Sequence, residues 1–248
     1  MTAAAHSIVV LKIGGSVLID LDAYREAARF IAARGEDEPH LKFVVVVSAR
    51  QGETDALLAT ACAMAPDPDR AMVDLLWSTG ELRSVALLTL ALQSCGVRAA
   101  GVNVHESGLA DGDGAVGARR PVLKALRLRR LLDDADVVVV PGFLARGGGD
   151  RIVSLGRGGS DLTAVVVAAG LNAIRCELIK DVGGYYSADP KRDPSAAPVP
   201  RLDFDRSLAL ADGGCELVQR AALETARAHG LPIVVRSMAT AQATILSR

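Results

Sequence analysis

Aromatic residues are scarce in this chain: they make up 3% of its 248 residues, with one Trp, three Tyr and four Phe. Any core must be built from aliphatic and alanine side chains, and a 50% hydrophobic content is ample for one large core or two modest lobes. A dominant charge sign is also lacking, since 28 Lys+Arg face 29 Asp+Glu for a net charge of −1. No basic run exceeds the short cluster at 127–130, so the electrostatic footprint of a nucleic-acid binder is missing. No apolar run approaches the roughly 18 residues of a spanning helix, and no membrane association is expected. The first eleven residues carry no basic segment ahead of an apolar one, so no secretion signal is expected there. Cys62, Cys95, Cys176 and Cys215 have no CxxC spacing and read as small core residues of a reducing, cytoplasmic compartment. His6, His40, His105 and His229 form no metal-ligand pattern. A P-loop, a dinucleotide G-x-G-x-x-G after the first strand and a G-x-S-x-G elbow are all missing, which excludes three common enzyme classes.

What the chain does have is alternation. Short β-branched runs at Ser7–Ile13, 43–48, 137–140, 174–179 and 233–236, with a weaker one at 99–104, are each followed by a turn and an Ala/Leu-rich stretch with helical spacing. Helices are expected over 22–34, 54–65, 80–94, 121–132, 161–170 and 216–229, the last stopped by Gly230 and Pro232. The runs are apolar on both faces, which predicts an α/β fold: an open α/β/α sandwich with a mainly parallel central sheet. Surface loops are expected at 66–70, 109–120 and 188–200, the second as a mobile flap, and no linker or repeat divides the chain.

Five glycine- or serine-bearing segments punctuate this alternation. Lys12-Ile13-Gly14-Gly15-Ser16 ends the first strand, where adjacent glycines let amides approach an anion and the lysine adds a point charge. A surface lysine beside a glycine turn is the plainer reading, but the chain has only five lysines. In Ser48-Ala49-Arg50-Gln51-Gly52-Glu53-Thr54-Asp55, Thr54 or Asp55 could equally be a helix N-cap. In Ser78-Thr79-Gly80-Glu81-Leu82, Glu81 could hold a substrate cation or simply favour a helix start. Leu155-Gly156-Arg157-Gly158-Gly159-Ser160-Asp161 carries the strongest signal: amides, a guanidinium and a carboxylate converge ahead of a helix. Lys180-Asp181-Val182-Gly183-Gly184-Tyr185-Tyr186 leaves another strand, with rings and charges that suit a nucleoside pocket or ordinary loop packing.

Taken in order, K-I-G-G-S, S-A-R-Q-G-E-T-D, T-G-E-L, P-G-F, L-G-R-G-G-S-D, K-D-V-G-G-Y-Y-S-A-D-P-K and A-L-E-T-A resemble the amino-acid kinases, specifically the catalytic domain of aspartate kinases, over nearly the whole chain. The resemblance implies a single kinase domain over 1–248, with the acceptor amino acid over about 1–150 and ATP over about 151–248. It implies ATP with Mg²⁺, a small amino acid as the other substrate, and phosphorylation of the aspartate side-chain carboxylate to an acyl phosphate. A homo-oligomer is expected. By position, Lys12 and Asp161 would be catalytic, and Thr54, Glu81 and Arg157 would hold the acceptor. Gly14, Gly15, Ser16 and Ser160 would line the phosphate path; Asp181, Tyr186 and Lys191 would line the nucleotide pocket. Metal ligands from the chain are not expected. A kinase for a related small acid, or a nucleotide-binding partner subunit with little turnover, are the alternatives.

Two departures accompany the likeness. The chain stops where the kinase domain of such enzymes ends, so feedback control through an appended regulatory region is expected to be absent. Glu216 falls where the family carries a nucleotide-binding lysine. A carboxylate about 4 Å from a phosphate charge, at an effective dielectric near 20, costs about 4 kcal/mol. Glu216 must therefore point elsewhere, with Arg220, Lys191 or Lys180 supplying the charge, or nucleotide binding is altered.

Overall fold

A computed structural model describes residues 7–112, 121–156, 158–189, 193 and 195–248. Its strands are β1 Ser7–Ile13, β2 Leu41–Val47, β3 Ala99–Gly101, β4 Leu109–Asp111, β5 Pro121–Leu123, β6 Val137–Pro141, β7 Leu144–Arg146, β8 Ile152–Ser154, β9 Arg175–Ile179, β10 Arg201–Asp203, β11 Ile233–Arg236 and β12 Ala243–Ser247. The helices are α1 Leu21–Asp37, α2 Glu53–Met64, α3 Arg70–Ser94, α4 Leu126–Asp134, α5 Gly159–Leu171, α6 Phe204–Asp212 and α7 Arg220–His229.

Eight strands form one sheet in the order β10-β12-β11-β9-β1-β2-β6-β3. Every neighbouring pair is parallel except β11 with β12. The expected sandwich follows from side-chain parity along these strands. Val9, Leu11, Ile13, Val45 and Val47 pack with Tyr24, Ala27 and Ile31 of α1 and Val85, Leu88 and Leu92 of α3. Val10, Val44, Val46, Val138 and Leu178 face the other way, onto Ala164, Val165 and Ala168 of α5 and Ala222 and Leu223 of α7. Each strand feeds both layers, so alternation between polar and apolar residues would have been destabilising.

Several sequence expectations are corrected. Helix α3 begins at Arg70, ten residues before the expected 80, because the Asp69 carboxylate caps it by accepting the Met72 N–H at 3.1 Å. Gly80 is therefore interior. A Cβ there would lie 3.2 Å from both Ala49 Cβ and Glu53 Cδ, so close packing explains the glycine. The expected helix at 121–132 divides into strand β5 and helix α4, with Pro121 at the strand's first position. The 216–229 helix shortens to α7, which leaves 216–219 as a turn. Strands β4, β5, β7 and β8 make a second, four-stranded sheet that the alternation did not predict. Part of the 109–120 loop is thus strand β4; the rest of that flap, 113–120, lies outside the described residues. Residue 150 lies between the paired strands β7 and β8, and the main sheet draws strands from both sides of it. Helix α3 is long and apolar enough to cross a membrane by length and composition, but it packs on the core and buries Asp74 and Glu81, as core helices do.

A buried ion cluster ties α1 to the middle of β9. Glu177 of β9, 1% exposed, accepts two bonds from Arg34 at 2.9 Å each and one from Arg175 Nε at 2.7 Å. Burial alone would raise its pKa, but the Arg34 and Arg175 guanidiniums hold its carboxyl below the ordinary range. Replacing Glu177 by Ala leaves those guanidiniums without their buried partner. Urea denaturation should show a loss of about 3–5 kcal/mol; a loss under about 1 kcal/mol would mean that solvent reaches the cluster.

Candidate active site

The strand order changes direction at β1, whose neighbours β2 and β9 come from opposite ends of the sequence. In open α/β sheets, the crevice outside the carboxyl ends at such a point is where ligands bind. A cleft of about 280 Å³ opens there, reached by Lys12, Thr54, Glu81, Ser160, Asp161 and Lys180 from five separate elements.

Parity aims its central charges. Lys12 follows Val10 by two positions along β1, and Lys180 follows Leu178 by two past the end of β9, so both side chains leave on the α5 face. The Lys180 N–H donates to Arg236 O at 2.9 Å, which extends the ladder by one residue. Asp161 stands in the first turn of α5, and its carboxylate is held from both sides. Lys12 Nζ lies 3.0 Å from Oδ1, and Lys180 Nζ lies 2.9 Å from Oδ2. Burial opposes ionisation of Asp161, yet the two ammoniums outweigh it and hold its pKa below the ordinary carboxylate range. Lys180 moves the other way. Burial lowers its pKa, with help from Lys12 and against the pull of Asp161.

Glu81 supplies a different chemistry. It is 3% exposed within α3, and burial pushes its pKa up to about 8 despite the Ala49 N–H and the Lys12 charge. Its Oε2 is buried with no hydrogen-bond partner among the described residues. An unpaired buried carboxylate oxygen is costly, and a cationic ligand would satisfy it. Thr54 lies on the same cleft as the second residue of α2. Neither Thr54 nor Asp55 caps that helix, because Gly52, with φ of 75°, occupies the N-cap.

Close backbone approach explains the glycines. A Cβ on Gly14 would sit 2.9 Å from Lys12 Nζ, and one on Gly15 would sit 2.5 Å from the Ala49 carbonyl oxygen. The first loop thus clears space beside the lysine and packs against the second. Phe143 carries a positive φ of 63° without being glycine, at the cleft wall after the Pro141-Gly142 turn. Such strain gathers where the surroundings fix a functional geometry.

Lys12, Thr54, Glu81, Ser160 and Asp161, singled out from the sequence, all line this cleft. Gly14 lies beside Lys12, whereas Ser16 is exposed and does not line it. Asp181 lines an adjoining hollow of about 490 Å³ beside α1, which shares Lys180 with the cleft. Tyr186 is half-buried and does not line the cleft; its hydroxyl donates to Gln242 Oε1 at 3.2 Å. Arg157 and Lys191 lie outside the described residues. Three wall residues went unassigned from sequence: Ser48, Phe143 and Gln219. Phe143 and Ser48 stood in recognisable turns at strand ends; Gln219 carried no signal, since its position depends on where α7 begins. Glu216 is exposed and does face the cleft. Arg220 cannot answer it, being paired outside with Asp212 and with Glu224 at 3.0 Å.

Known proteins share the sequence and the fold of this chain. An aspartokinase of Thermus thermophilus is 38% identical over 232 residues, 93% of this chain but 56% of the relative. The crystal structure of aspartate kinase from Synechocystis superposes with a TM-score of 0.85 at 34% identity, covering 97% of this chain and 40% of that one. E. coli aspartokinase III in complex with aspartate and ADP superposes at 0.84 with 26% identity, covering 97% and 65%. The chain therefore spans about half the length of the curated relatives it matches. Residues 7–237 match the amino acid kinase family, and the chain belongs to that family.

Proposed function

We propose that this chain transfers the γ-phosphoryl group of ATP to the side-chain carboxylate of L-aspartate. One observation carries the reading: a buried Lys12–Asp161–Lys180 ion triad shares a cleft with the unpaired buried oxygen of Glu81. The aspartokinase relatives support the choice of acceptor.

In this reading a carboxylate oxygen of aspartate attacks Pγ while the bond from Pγ to the bridging oxygen breaks, yielding an acyl phosphate and ADP. The attacking carboxylate is already ionised, so no general base is needed. Catalysis then rests on alignment and on neutralising charge on the phosphoryl oxygens. Lys12 stabilises the transferring group, and Asp161 fixes the direction of both ammoniums. Glu81 takes the substrate ammonium, Thr54 and Arg157 hold its polar groups, and Gly14, Gly15, Ser16 and Ser160 border the phosphates. Asp181, Tyr186 and Lys191 belong to the nucleotide side, so that the acceptor lies toward the amino-terminal half and the nucleotide toward the carboxyl-terminal half.

Magnesium fits as an ion carried by the nucleotide. Each oxygen of Asp161 already has a lysine ammonium within 3.0 Å, so a divalent cation there would meet two positive charges. When bound, the ion would offset phosphate charge, with its ligands drawn from phosphates and water. Free Cys62, Cys95, Cys176 and Cys215 suit a reducing cytoplasm, and self-association into a homo-oligomer belongs to the same reading.

Trapping with hydroxylamine tests the proposal. Purified protein with aspartate, ATP and Mg²⁺ should form the hydroxamate with matching ADP release. ADP release with another small acid, and none with aspartate, would move the assignment to that acceptor. Glu216 on the cleft favours a second reading, a nucleotide-binding partner subunit of little turnover; ATP binding with no product from any acid would select it.

A further inference from the structure

We propose that Lys180 is a second phosphate-contacting cation of this site, acting with Lys12 on the nucleotide's phosphoryl groups across the shared carboxylate of Asp161. The proposal rests on the kinase reading above. It stands on the position of Lys180 in the cleft, on its 2.9 Å pair with Asp161, and on the charge balance of that cleft.

Consider the cleft without ligand. Two ammoniums, Lys12 and Lys180, share one carboxylate, and their side chains are only 9% and 14% exposed. Each ammonium has three donors; Lys180 spends one on Asp161 Oδ2, whereas Lys12 meets Oδ1 as an ion pair at 3.0 Å. The remaining donors have little solvent to bond. Glu81 and Glu216 are the other carboxylates lining the cleft among the described residues. Glu81 is largely protonated at neutral pH, and Glu216 is exposed. The buried inner part of the cleft thus holds more positive than negative charge, a costly state that an entering polyanion relieves.

A purely structural partner for Asp161 would not require this arrangement. Lys12 already places a compensating charge 3.0 Å from Asp161, so a second buried lysine, beyond the one hydrogen bond it donates, adds desolvation and like-charge repulsion. That cost is offset only when anionic oxygens arrive on the open side. Phosphoryl transfer presents two sites of changing charge, the equatorial oxygens of the transferring group and the oxygen of the leaving group. A fixed pair of cations on one carboxylate matches that demand. Across the opening, Glu216 faces the same anions with the wrong sign, which makes the cation at position 180 the more necessary.

The test uses the full chain with Lys180→Met, Lys180→Arg and Lys180→Met/Glu216→Lys. Calorimetric titration with ADP and ATP in Mg²⁺ is read beside kcat and the KM of aspartate. Lys180→Met should lose at least about tenfold in nucleotide affinity, about a hundredfold in kcat, or both, with the aspartate KM within about threefold. Lys180→Arg should retain most of whichever is lost. The added Glu216→Lys should recover at least about tenfold of it, because a cation returns to the cleft from the opposite wall. Changes under threefold in both affinity and kcat, or a loss that neither Arg nor Glu216→Lys repairs, would reduce Lys180 to a positioning partner of Asp161 and overturn the proposal. Should Lys180→Met fail to fold, Lys180→Gln keeps a donor for Asp161 and is read the same way. If the unaltered protein binds ATP but yields no acyl phosphate, the kinase reading fails while the affinity arm still decides the role of Lys180.

Discussion

On the proposed reaction, Lys12→Met should lower kcat by about a thousandfold and leave the KM of the amino acid within about threefold. The charge of Lys12 is wanted most when negative charge builds on the transferring phosphoryl oxygens, so its loss falls on the transition state. A thousandfold corresponds to about 4 kcal/mol at 1.36 kcal/mol per factor of ten. The fold should tolerate the change. Asp161 keeps Lys180 at 2.9 Å, and the Met side chain fills the aliphatic course of the lysine. Steady-state kinetics beside a thermal melt separate the two effects. A raised KM with unchanged kcat would assign Lys12 to ground-state binding instead.

If Glu81 takes the substrate ammonium as proposed, binding of the amino acid should release a proton at neutral pH and tighten as pH rises. Glu81, with its pKa near 8, is about 90% protonated at pH 7 in the empty cleft, whereas an ammonium ligand requires the carboxylate. Apparent affinity should therefore climb nearly tenfold per unit below pH 8 and level off above it, until the ligand's own amine deprotonates. The groups acting on Glu81 are Lys12, which favours its ionisation, and Glu53, which opposes it. Stability of the empty protein runs the opposite way. A carboxyl raised from 4.5 to about 8 contributes stability that is complete below pH 4.5 and is lost as pH rises through 8. Calorimetry in buffers of different ionisation enthalpy counts the proton directly. Glu81→Gln should abolish the pH slope and weaken binding about 10- to 100-fold, the range of one charge-assisted hydrogen bond. An unchanged slope in Glu81→Gln would assign the proton to another group.

The parts of this molecule that were legible in the sequence are those encoded locally. Apolar runs without alternation announced the strands of a sheet covered on both faces, and β1, β6, β9 and β11 fall within a residue of where the runs lie. Lys12 and Asp161 were legible because each sits in a glycine-marked turn at a strand end or helix start, where backbone geometry restricts the residue types that fit. The second sheet was not legible, since its three-residue strands carry too few positions to display a period. Nor was the true start of α3: Gly80 resembles a helix boundary until Ala49 and Glu53 are seen packed against it.

Sequence by itself therefore determined the layered fold, its family motifs and the identity of the charges that enter the cleft. Tertiary structure decided how those charges are grouped. Whether Lys180 meets Asp161 depends on the register of β9 against β1 and on the approach of α5, contacts between segments far apart in the chain. The same long-range placement bonded Tyr186 to Gln242, put Asp181 in a neighbouring hollow and left Glu216 facing the cleft. Local pattern reports the direction of a side chain relative to its own strand or helix, whereas the partner it meets is set by packing between elements.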